Sequence, residues 1–242
     1  MRAVITAGGL VGDPFAATAG TPVKALAPVH GTALLDLAVA ACAGAGCSGI
    51  AVVGGPEVRV HLAGTAVTVI DAAADGRTNV LRALDAWPGE RFVYLSSDLP
   101  DVTAPGLRDF IDRSEPFALT MALADAAAYA VRYPGAPPHE IALRGGRFAN
   151  GSAFVFGTEA VGPARAFAVR AFAARKNLLA LSRMLGPALV LRYLTRRLRL
   201  SHIEAYARRT LGVAAAAVRD CDPGLCFDVD TLDDYRYACS RV

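Results

Sequence analysis

The sequence predicts an α/β protein with a mostly parallel sheet covered by helices on both faces. Short, nearly continuous apolar runs alternate with helix-like segments through the first half of the chain, which is typical of parallel strands buried on both sides. The chain has 242 residues, 54% hydrophobic and 19% charged, which is enough apolar material for one large domain. This hydrophobic content excludes a disordered chain, and a net charge of +3 is too small to indicate nucleic-acid binding.

Local signals place the elements of the first half in a regular order. An apolar run before a glycine or a loop indicates a strand, and a Ser or Thr before a periodic apolar segment indicates a helix start. Predicted strands span residues 3–6, 50–53, 67–70 and 91–95. Predicted helices span residues 32–44, 79–87 and 103–113, with Thr32 and Thr103 as N-caps.

The second half of the chain differs in character and in charge. Predicted strands span 117–124, 141–143, 152–156, 213–218 and 227–229, and a final helix begins at Thr231. Residues 160–212 are almost entirely helix-like, with a break at Gly186-Pro187. This segment holds 11 basic residues and one acidic residue, so its formal charge is +10 against −7 for the remainder. We therefore expect a single domain over residues 1–242 with a basic helical insertion at about 160–212.

Several classes of protein are excluded by cysteine usage and hydropathy. Five cysteines with no C-x-x-C pair support neither a disulfide framework nor a zinc site. The chain begins with a strand-like run and lacks a signal-peptide pattern, so a cytoplasmic location is expected. The leucine-rich stretch from Leu178 to Leu194 is interrupted by Arg183, Gly186-Pro187 and Arg192, which argues against an integral membrane span.

The first chemical motif follows the first strand directly. Ala7, Gly8 and Gly9 are succeeded by a loop that leads to Lys24. Glycines allow the backbone to approach phosphates closely, and a lysine can hold a triphosphate. The dinucleotide and P-loop fingerprints are absent, so this motif taken alone is better explained as a simple turn.

Two acidic motifs follow strands later in the chain. Asp98 lies after the fourth strand in Ser-Ser-Asp-Leu-Pro, at the edge where open α/β sheets bind ligands. On a strand, Asp228 and Asp230 would share one face and could present two carboxylates to one cation. The alternatives are an aspartate that merely begins a turn at Asp98 and a cap for the final helix at Asp230.

These three motifs in this order resemble the nucleotidyltransferases of the GT-A-like fold. The resemblance is greatest to the molybdenum cofactor guanylyltransferase-like NTP transferase domain, and it covers roughly residues 1–160 and 213–240. The segment Thr-Pro-Val-Lys-Ala-Leu-Ala-Pro-Val around Lys24 and the strand Ile-Ala-Val-Val-Gly-Gly from Ile50 both carry it. It implies a three-layer, Rossmann-like sheet with helices on both faces. The basic helices lie outside the shared core.

The resemblance also implies roles for individual residues. The backbone of Ala7, Gly8 and Gly9 would line the nucleotide, and Lys24 would bind its phosphates. The loop at Gly76 would read the base, with Asn79 as the base contact. Asp98 and Asp230 would coordinate Mg²⁺, with Asp228 as a further partner. Asn150-Gly151 would face the acceptor, and we add Arg175 and Lys176 as candidates from the insertion, because the first loop carries no arginine.

We therefore expect a Mg²⁺-dependent nucleotidyltransferase that joins an NMP unit from an NTP to a phosphorylated small-molecule acceptor and releases pyrophosphate. The alternative is a catalytically inactive relative that acts as a regulatory protein by binding a nucleotide or a nucleotide-sugar. The leucines of the insertion suit packing on the domain or a homodimer interface. Peripheral contact of these leucines and their neighbouring arginines with an anionic membrane is the second interpretation.

Overall fold

A central mixed sheet organises the protein, and the computed structural model describes residues 1–136, 140–174 and 177–241. Among these residues the main sheet has eight strands, and a separate hairpin is formed by β2 (Pro28–Val29) and β3 (Thr32–Ala33). The main sheet consists of β1 (Arg2–Ala7), β4 (Gly49–Gly54), β5 (Thr68–Asp71), β6 (Phe92–Ser96), β7 (Leu119–Asp125), β8 (Glu140–Leu143), β9 (Gly146–Phe156) and β10 (Ala215–Val218).

The strand order is β10-β7-β9-β6-β1-β4-β5, and β8 pairs with β9. The pairs β1–β4, β1–β6, β4–β5 and β7–β10 are parallel, while β9 runs antiparallel to β6, β7 and β8. The chain progresses outward from β1 through β4 to β5 and then returns to the other side of β1 as β6. This reversal creates a crevice at the carboxyl ends of β1 and β6, which is where open α/β sheets bind ligands. The predicted fold class is confirmed.

Helices cover both faces of this sheet. The helices of the first half are α1 (Phe15–Ala19), α2 (Leu34–Gly44), α3 (Pro56–His61), α4 (Gly76–Leu84), α5 (Ala104–Arg113) and α6 (Ala126–Arg132). The second half adds α7 (Thr158–Ala174), α8 (Leu178–Leu185), α9 (Pro187–Leu194), α10 (Leu200–Leu211) and α11 (Leu232–Ser240). Short 3-10 turns lie at Lys24–Leu26 and Pro223–Leu225.

The central strands are apolar on both sides because helices pack against each face. Along β1, Val4 belongs to one hydrophobic cluster, whereas Ala3 and Ile5 belong to the other. Alternate residues of a strand point to opposite faces, so one strand contributes to two cores. The continuous apolar runs in the sequence are explained by this double burial.

The helices α7 to α10, which we call the basic helices, follow one another between β9 and β10. Asn177 caps α8 by accepting hydrogen bonds from the amides of Leu179 and Ala180. The predicted break is confirmed at Gly186, which has φ = +84° and separates α8 from α9. Arg165 forms an ion pair with Asp85 at the end of α4, which connects the first of these helices to the first half of the chain. No helix in the described ranges combines the length and hydropathy required to cross a bilayer.

Two local predictions are wrong. Thr32 lies in the β2–β3 hairpin and does not cap α2, whose preceding residue Ala33 offers no side-chain acceptor. Residues 227–229 are not a strand, because this segment crosses the edge of the sheet and is joined to it by the amide of Val229, which donates to the Asp98 carbonyl at 2.9 Å. Helix α6, which Asp125 caps, was not predicted from the sequence.

The cap of α5 provides a direct test of the fold. Thr103 accepts a hydrogen bond from the amide of Gly106 at 3.2 Å, as predicted from the sequence. We expect Thr103→Ala to lower the free energy of unfolding by about 1 kcal/mol in urea titrations, because the amide loses its acceptor. Thr32→Ala is the matched control and should have less than half that effect. Equal losses would contradict the assigned caps.

Candidate active site at the carboxyl edge of the sheet

The candidate site lies in the crevice between the ends of β1 and β6. Gly8 and Gly9 follow β1, and Ser97 and Asp98 follow β6. The amide of Ser97 donates to the carbonyl of Thr6 at 3.2 Å, so the two strand ends stay together past the last strand residue of β6. The glycine loop and the aspartate therefore face one another across a single gap.

The first loop returns to β1 and places Lys24 over the glycines. The amide of Lys24 donates to the carbonyl of Gly9 at 3.0 Å, and the amide of Val11 donates to the carbonyl of Pro22 at 2.8 Å. These two bonds close the loop from residue 10 to residue 23. Lys24 thereby stands beside the glycine loop although it lies 15 positions after Gly9 in the chain.

Lys24, Asp98 and Asp230 form one charged group, which we call the lysine–aspartate cluster. The Lys24 ammonium donates to a carboxylate oxygen of Asp98 and, at 2.9 Å, to Oδ1 of Asp230. The side chains of Lys24 and Asp98 retain 18% and 7% of their exposure, whereas Asp230 retains 60%. Burial lowers the pKa of Lys24, but the attraction and hydrogen bonds of Asp98 and Asp230 together outweigh it, so this pKa is raised above its ordinary value.

Asp230 is held in place by the start of α11. One carboxylate oxygen of Asp234 accepts hydrogen bonds from the amides of Asp230 and Thr231 and from the Thr231 hydroxyl. In return, the Thr231 hydroxyl accepts from the amide of Asp234 at 3.2 Å, which completes a capping box. The cap explains how an exposed carboxylate on a loop comes to face Lys24.

The carboxylates at this edge fit a cation that binds together with a phosphate ligand. Among the described residues, no group of three or more His, Cys, Asp or Glu side chains is placed to hold a metal ion. Mg²⁺ is usually held by one or two carboxylates together with substrate phosphates and water. Asp98 suits this role, because its Oδ1 is buried and accepts no hydrogen bond in the described part of the chain. Asp228 accepts a hydrogen bond from the Ser152 hydroxyl at 3.1 Å.

The predicted base-reading loop lies against the glycine loop. A Cβ added at Gly8 would lie 2.7 Å from Nδ2 of Asn79, so glycine is needed for this close approach. The Asn79 side chain is 7% exposed and makes two bonds with Ala73, accepting from its amide at 2.7 Å and donating to its carbonyl at 3.1 Å. Asn79 therefore shapes the loop after β5. Gly76 begins α4, which Asp75 caps through the amide of Thr78.

The predicted acceptor residues fall into two groups. Asn150 is exposed on β9, and Gly151 packs so closely that an added Cβ would lie 2.6 Å from the carbonyl oxygen of Ala122. Arg175 and Lys176 lie outside the described residues, so nothing is concluded about their place.

Three residues important for the site's geometry were not predicted from the sequence. Asp234 positions Asp230, Ser152 holds Asp228, and Tyr94 donates to or accepts from the Thr6 hydroxyl at 2.8 Å, just before the glycine loop. Asp234 was detectable, because Thr-x-x-Asp is a capping-box spacing. The contacts of Ser152 and Tyr94 join residues 76 and 88 positions apart, and no local pattern signals them.

A glycine loop facing a lysine and two carboxylates, at the switch point of an α/β sheet, is the arrangement that an NTP-binding nucleotidyltransferase requires. The family model of the MobA-like NTP transferase domain matches residues 3–149, more than half of the chain. The chain belongs to this family, and nucleotidyl transfer is its class of activity. The match includes Lys24 and Asp98 and ends before Asn150, so Asp230 and the basic helices lie beyond it.

Solved structures show the same architecture. A hypothetical transferase from Thermus thermophilus is 29% identical, with a TM-score of 0.84, over 97% of this chain and 99% of that one. The 2-C-methyl-D-erythritol 4-phosphate cytidylyltransferase of Thermus thermophilus is 16% identical, with a TM-score of 0.57, over 99% and 97%. A manganese complex of Rv0371c from Mycobacterium tuberculosis is 20% identical, with a TM-score of 0.51, over 100% and 98%. No curated protein matches the chain significantly.

The glycine loop can be tested with one matched pair of variants. Gly8→Ala should weaken NTP binding by at least about tenfold, roughly 1.4 kcal/mol, because the new methyl group displaces Asn79 or the loop. Gly12 lies in the same loop, and a Cβ added there would have no atom within 4 Å apart from its chain neighbours. Gly12→Ala should therefore change the NTP affinity by less than twofold. Calorimetric titration with each of the four NTPs measures both. Similar losses in the two variants would contradict the assigned nucleotide loop.

The contribution of Lys24 to stability can be separated from its contribution to phosphate binding. Lys24→Ala should lower the free energy of unfolding by about 3 kcal/mol, because Asp98 is left buried without its cation. The double variant Lys24→Ala with Asp98→Asn should recover most of that stability and still bind NTP poorly. Lys24→Arg should restore binding only in part, because a planar guanidinium does not replace a point charge. NTP affinity that recovers together with stability would remove Lys24 from the phosphate site.

Proposed function

We propose that the protein is a Mg²⁺-dependent enzyme that transfers an NMP unit from an NTP to a phosphorylated acceptor and releases pyrophosphate. The lysine–aspartate cluster beside the glycine loop is the observation that carries this proposal. Such a transfer requires alignment and charge compensation more than covalent participation by the protein. The Lys24 ammonium and the carboxylates of Asp98 and Asp230, beside a loop that can accept phosphates, supply both.

Lys24 has two alternative sets of partners in this proposal. Without nucleotide it neutralises Asp98 and Asp230 and keeps both carboxylates close together. When a triphosphate enters over Gly8 and Gly9, its negative oxygens compete for the same ammonium. Lys24 then turns to the phosphates, and the carboxylates become available to a divalent cation.

Asp98 and Asp230 are the residues that would hold Mg²⁺. The unpaired buried Oδ1 of Asp98 and the exposed carboxylate of Asp230 both suit a hard cation that retains part of its water. When bound, Mg²⁺ supplies charge stabilisation to the phosphates of the NTP and of the transition state. Asp228 contributes from the neighbouring position, held by Ser152.

The acceptor is aligned by the β9 side of the crevice. The acceptor phosphate must approach the α-phosphorus opposite the departing pyrophosphate, because the attacking and leaving oxygens lie roughly in line. Asn150 and Gly151 lie on β9 directly before Ser152, whose hydroxyl contacts Asp228. We assign acceptor contact to them, with Arg175 and Lys176 as further candidates. The enzyme works in the cytoplasm, where NTPs are available.

The second candidate function is a non-catalytic protein that binds a nucleotide or a nucleotide-sugar. The first loop has no arginine to meet the phosphates, and Asp13 accepts a hydrogen bond from the amide of Ala17 at the start of α1. This bond directs the Asp13 carboxylate to its own helix, which reduces its repulsion of a triphosphate. Together with the intact cluster, that arrangement favours the enzyme.

Pyrophosphate release decides between the two candidates. Asp98→Asn and Asp230→Asn should each reduce pyrophosphate release at least about 100-fold with Mg²⁺ present, since each removes a carboxylate charge at nearly constant shape. Asp228→Asn should have a milder effect. Asp233→Asn is the control in the first turn of the adjoining helix α11, and its turnover should stay close to that of the native chain. NTP binding without any pyrophosphate release, over a panel of phosphorylated acceptors, would favour the regulatory protein.

A further inference from the structure

A cavity of about 900 Å³ lies between the sheet and the basic helices. Its floor is the face of β6, β7 and β9 that carries Tyr94, Met121 and Phe154. Its roof comes from the basic helices, with Leu189 on α9 and Ile203 on α10. Ligand-binding cavities in proteins typically measure about 300–1,000 Å³, so this one can hold a sizeable molecule. Its wall is overwhelmingly aliphatic and aromatic, which selects a hydrocarbon ligand.

One end of this cavity reaches the active-site edge of the sheet. Tyr94 lines the cavity, and its hydroxyl is paired with Thr6 directly before the glycine loop. Asn150 also lines the cavity and stands on β9 two residues before Ser152, whose hydroxyl contacts Asp228. A ligand with an apolar body in the cavity would therefore present its other end to the crevice.

The outer surface of α8 and α9 is the second observation. In the described part of the chain, three strongly exposed leucines lie on these two helices away from the cavity: Leu179, Leu191 and Leu194, at 61%, 63% and 71% exposure. Tyr193, at 61% exposure, lines the cavity and also reaches the surface. On α9, Leu189 and Val190 face the cavity while Leu191 and Leu194 face outward. Apart from Arg192, α9 is apolar both toward the cavity and toward the outside, which suits a boundary with a non-aqueous environment.

The charge around α9 indicates which environment this is. Exposed arginines border the apolar surface at Arg192, Arg196 and Arg197, and the segment from 160 to 212 contains one acidic residue. Leucines flanked by arginines are typical of a helix that lies in the interface of an anionic lipid layer. A second copy of this chain would bring the same arginines together, which is unfavourable.

We propose that the acceptor is a phosphate monoester of a long hydrocarbon chain, that the cavity binds this chain, and that α9 admits it from an anionic lipid layer. The proposal rests on the nucleotidyl transfer proposed above and names its substrate class. In this proposal the exposed leucines contact the lipid layer, whereas the sequence favoured packing on the domain or a dimer interface for them.

The chemistry of this acceptor balances without any further reactant. A non-bridging oxygen of the acceptor phosphate forms a bond to the α-phosphorus of the NTP. The bond from that phosphorus to the oxygen bridging to the β-phosphate breaks, and its electron pair leaves with pyrophosphate. The product is a nucleoside diphosphate ester of the hydrocarbon chain. A hydrophilic acceptor of the sugar phosphate type would gain no binding energy from the cavity wall.

The first experiment measures binding of alkyl phosphates to the full chain without nucleotide. Inorganic phosphate, butyl phosphate and octyl phosphate are titrated by calorimetry below their micelle concentrations. Each added methylene should tighten Kd by about fourfold while the chain enters the cavity. Equal affinities across the series would overturn the proposal. NTP titration of the same sample reports separately on the proposed function, since the nucleotide site can bind whether or not the cavity takes a chain.

A matched pair of variants places the binding in the cavity. Ala168 on α7 lines the cavity, whereas Ala166 on the same helix is exposed and does not line it. Ala168→Phe should weaken octyl phosphate binding at least tenfold with NTP binding retained, and Ala166→Phe should stay within twofold. Equal effects would overturn the assignment. If Ala168→Phe fails to fold, Ala207→Leu on α10 narrows the same cavity and replaces it.

Vesicle flotation tests the source of the ligand. The native chain should float with phosphatidylglycerol vesicles and not with phosphatidylcholine vesicles. Leu191→Asp with Leu194→Asp should abolish flotation, whereas Val131→Asp, at an 83% exposed site on α6, should not. No flotation of the native chain would overturn entry from the lipid layer. A dimer in sedimentation that the same two leucine substitutions dissociate would assign this surface to a second copy and overturn it equally.

Discussion

The contact of one ammonium group with two carboxylates holds the functional edge of this protein together. Lys24 meets Asp98 and Asp230, which lie 74 and 206 positions away along the chain. A carboxylate as buried as Asp98 requires a cation, because burying an unpaired charge is costly. The contacts of Lys24 therefore fix the positions of the first loop, the end of β6 and the start of α11 relative to one another. The same attraction raises the pKa of Lys24 and keeps its ammonium charged, and in the proposed function this ammonium turns to the phosphates of the NTP.

The sheet topology makes this contact feasible. The neighbouring strands β5, β4, β1 and β6 are all parallel, so their carboxyl ends meet at one edge. The antiparallel β9 lies between β6 and β7 and brings Asn150 and Ser152 to that edge from the opposite direction. The glycine loop, the carboxylates that we propose as Mg²⁺ ligands and the β9 residues that we propose as acceptor contacts thereby occupy adjacent positions on one crevice.

In the proposed function, the basic helices extend what this edge can bind. They cover a sheet face that carries Tyr94, Phe154 and Phe156, but they do not fill the space above it. Their arginines remain mostly exposed, and Arg165 with Asp85 is one ion pair that joins them to the rest of the domain. Apolar lining inside and an apolar surface outside are properties that a purely water-soluble acceptor does not require.

The sequence alone determined the class of fold and, through its resemblance to a known family, the class of activity. Double burial of the strands produces continuous apolar runs, and a Thr cap or a Gly break acts within one turn of the chain, so β1, β6, α5 and the division between α8 and α9 were predictable. Gly8-Gly9 and Asp98 follow strand ends, and together with Lys24 they were recognisable because the ordered set of motifs resembles a known family. Tertiary structure alone decided that Lys24 lies between Asp98 and Asp230, that residues 227–229 cross the sheet edge, and that the basic helices enclose a cavity. These features depend on contacts between distant residues, whose energies no local pattern of side chains encodes.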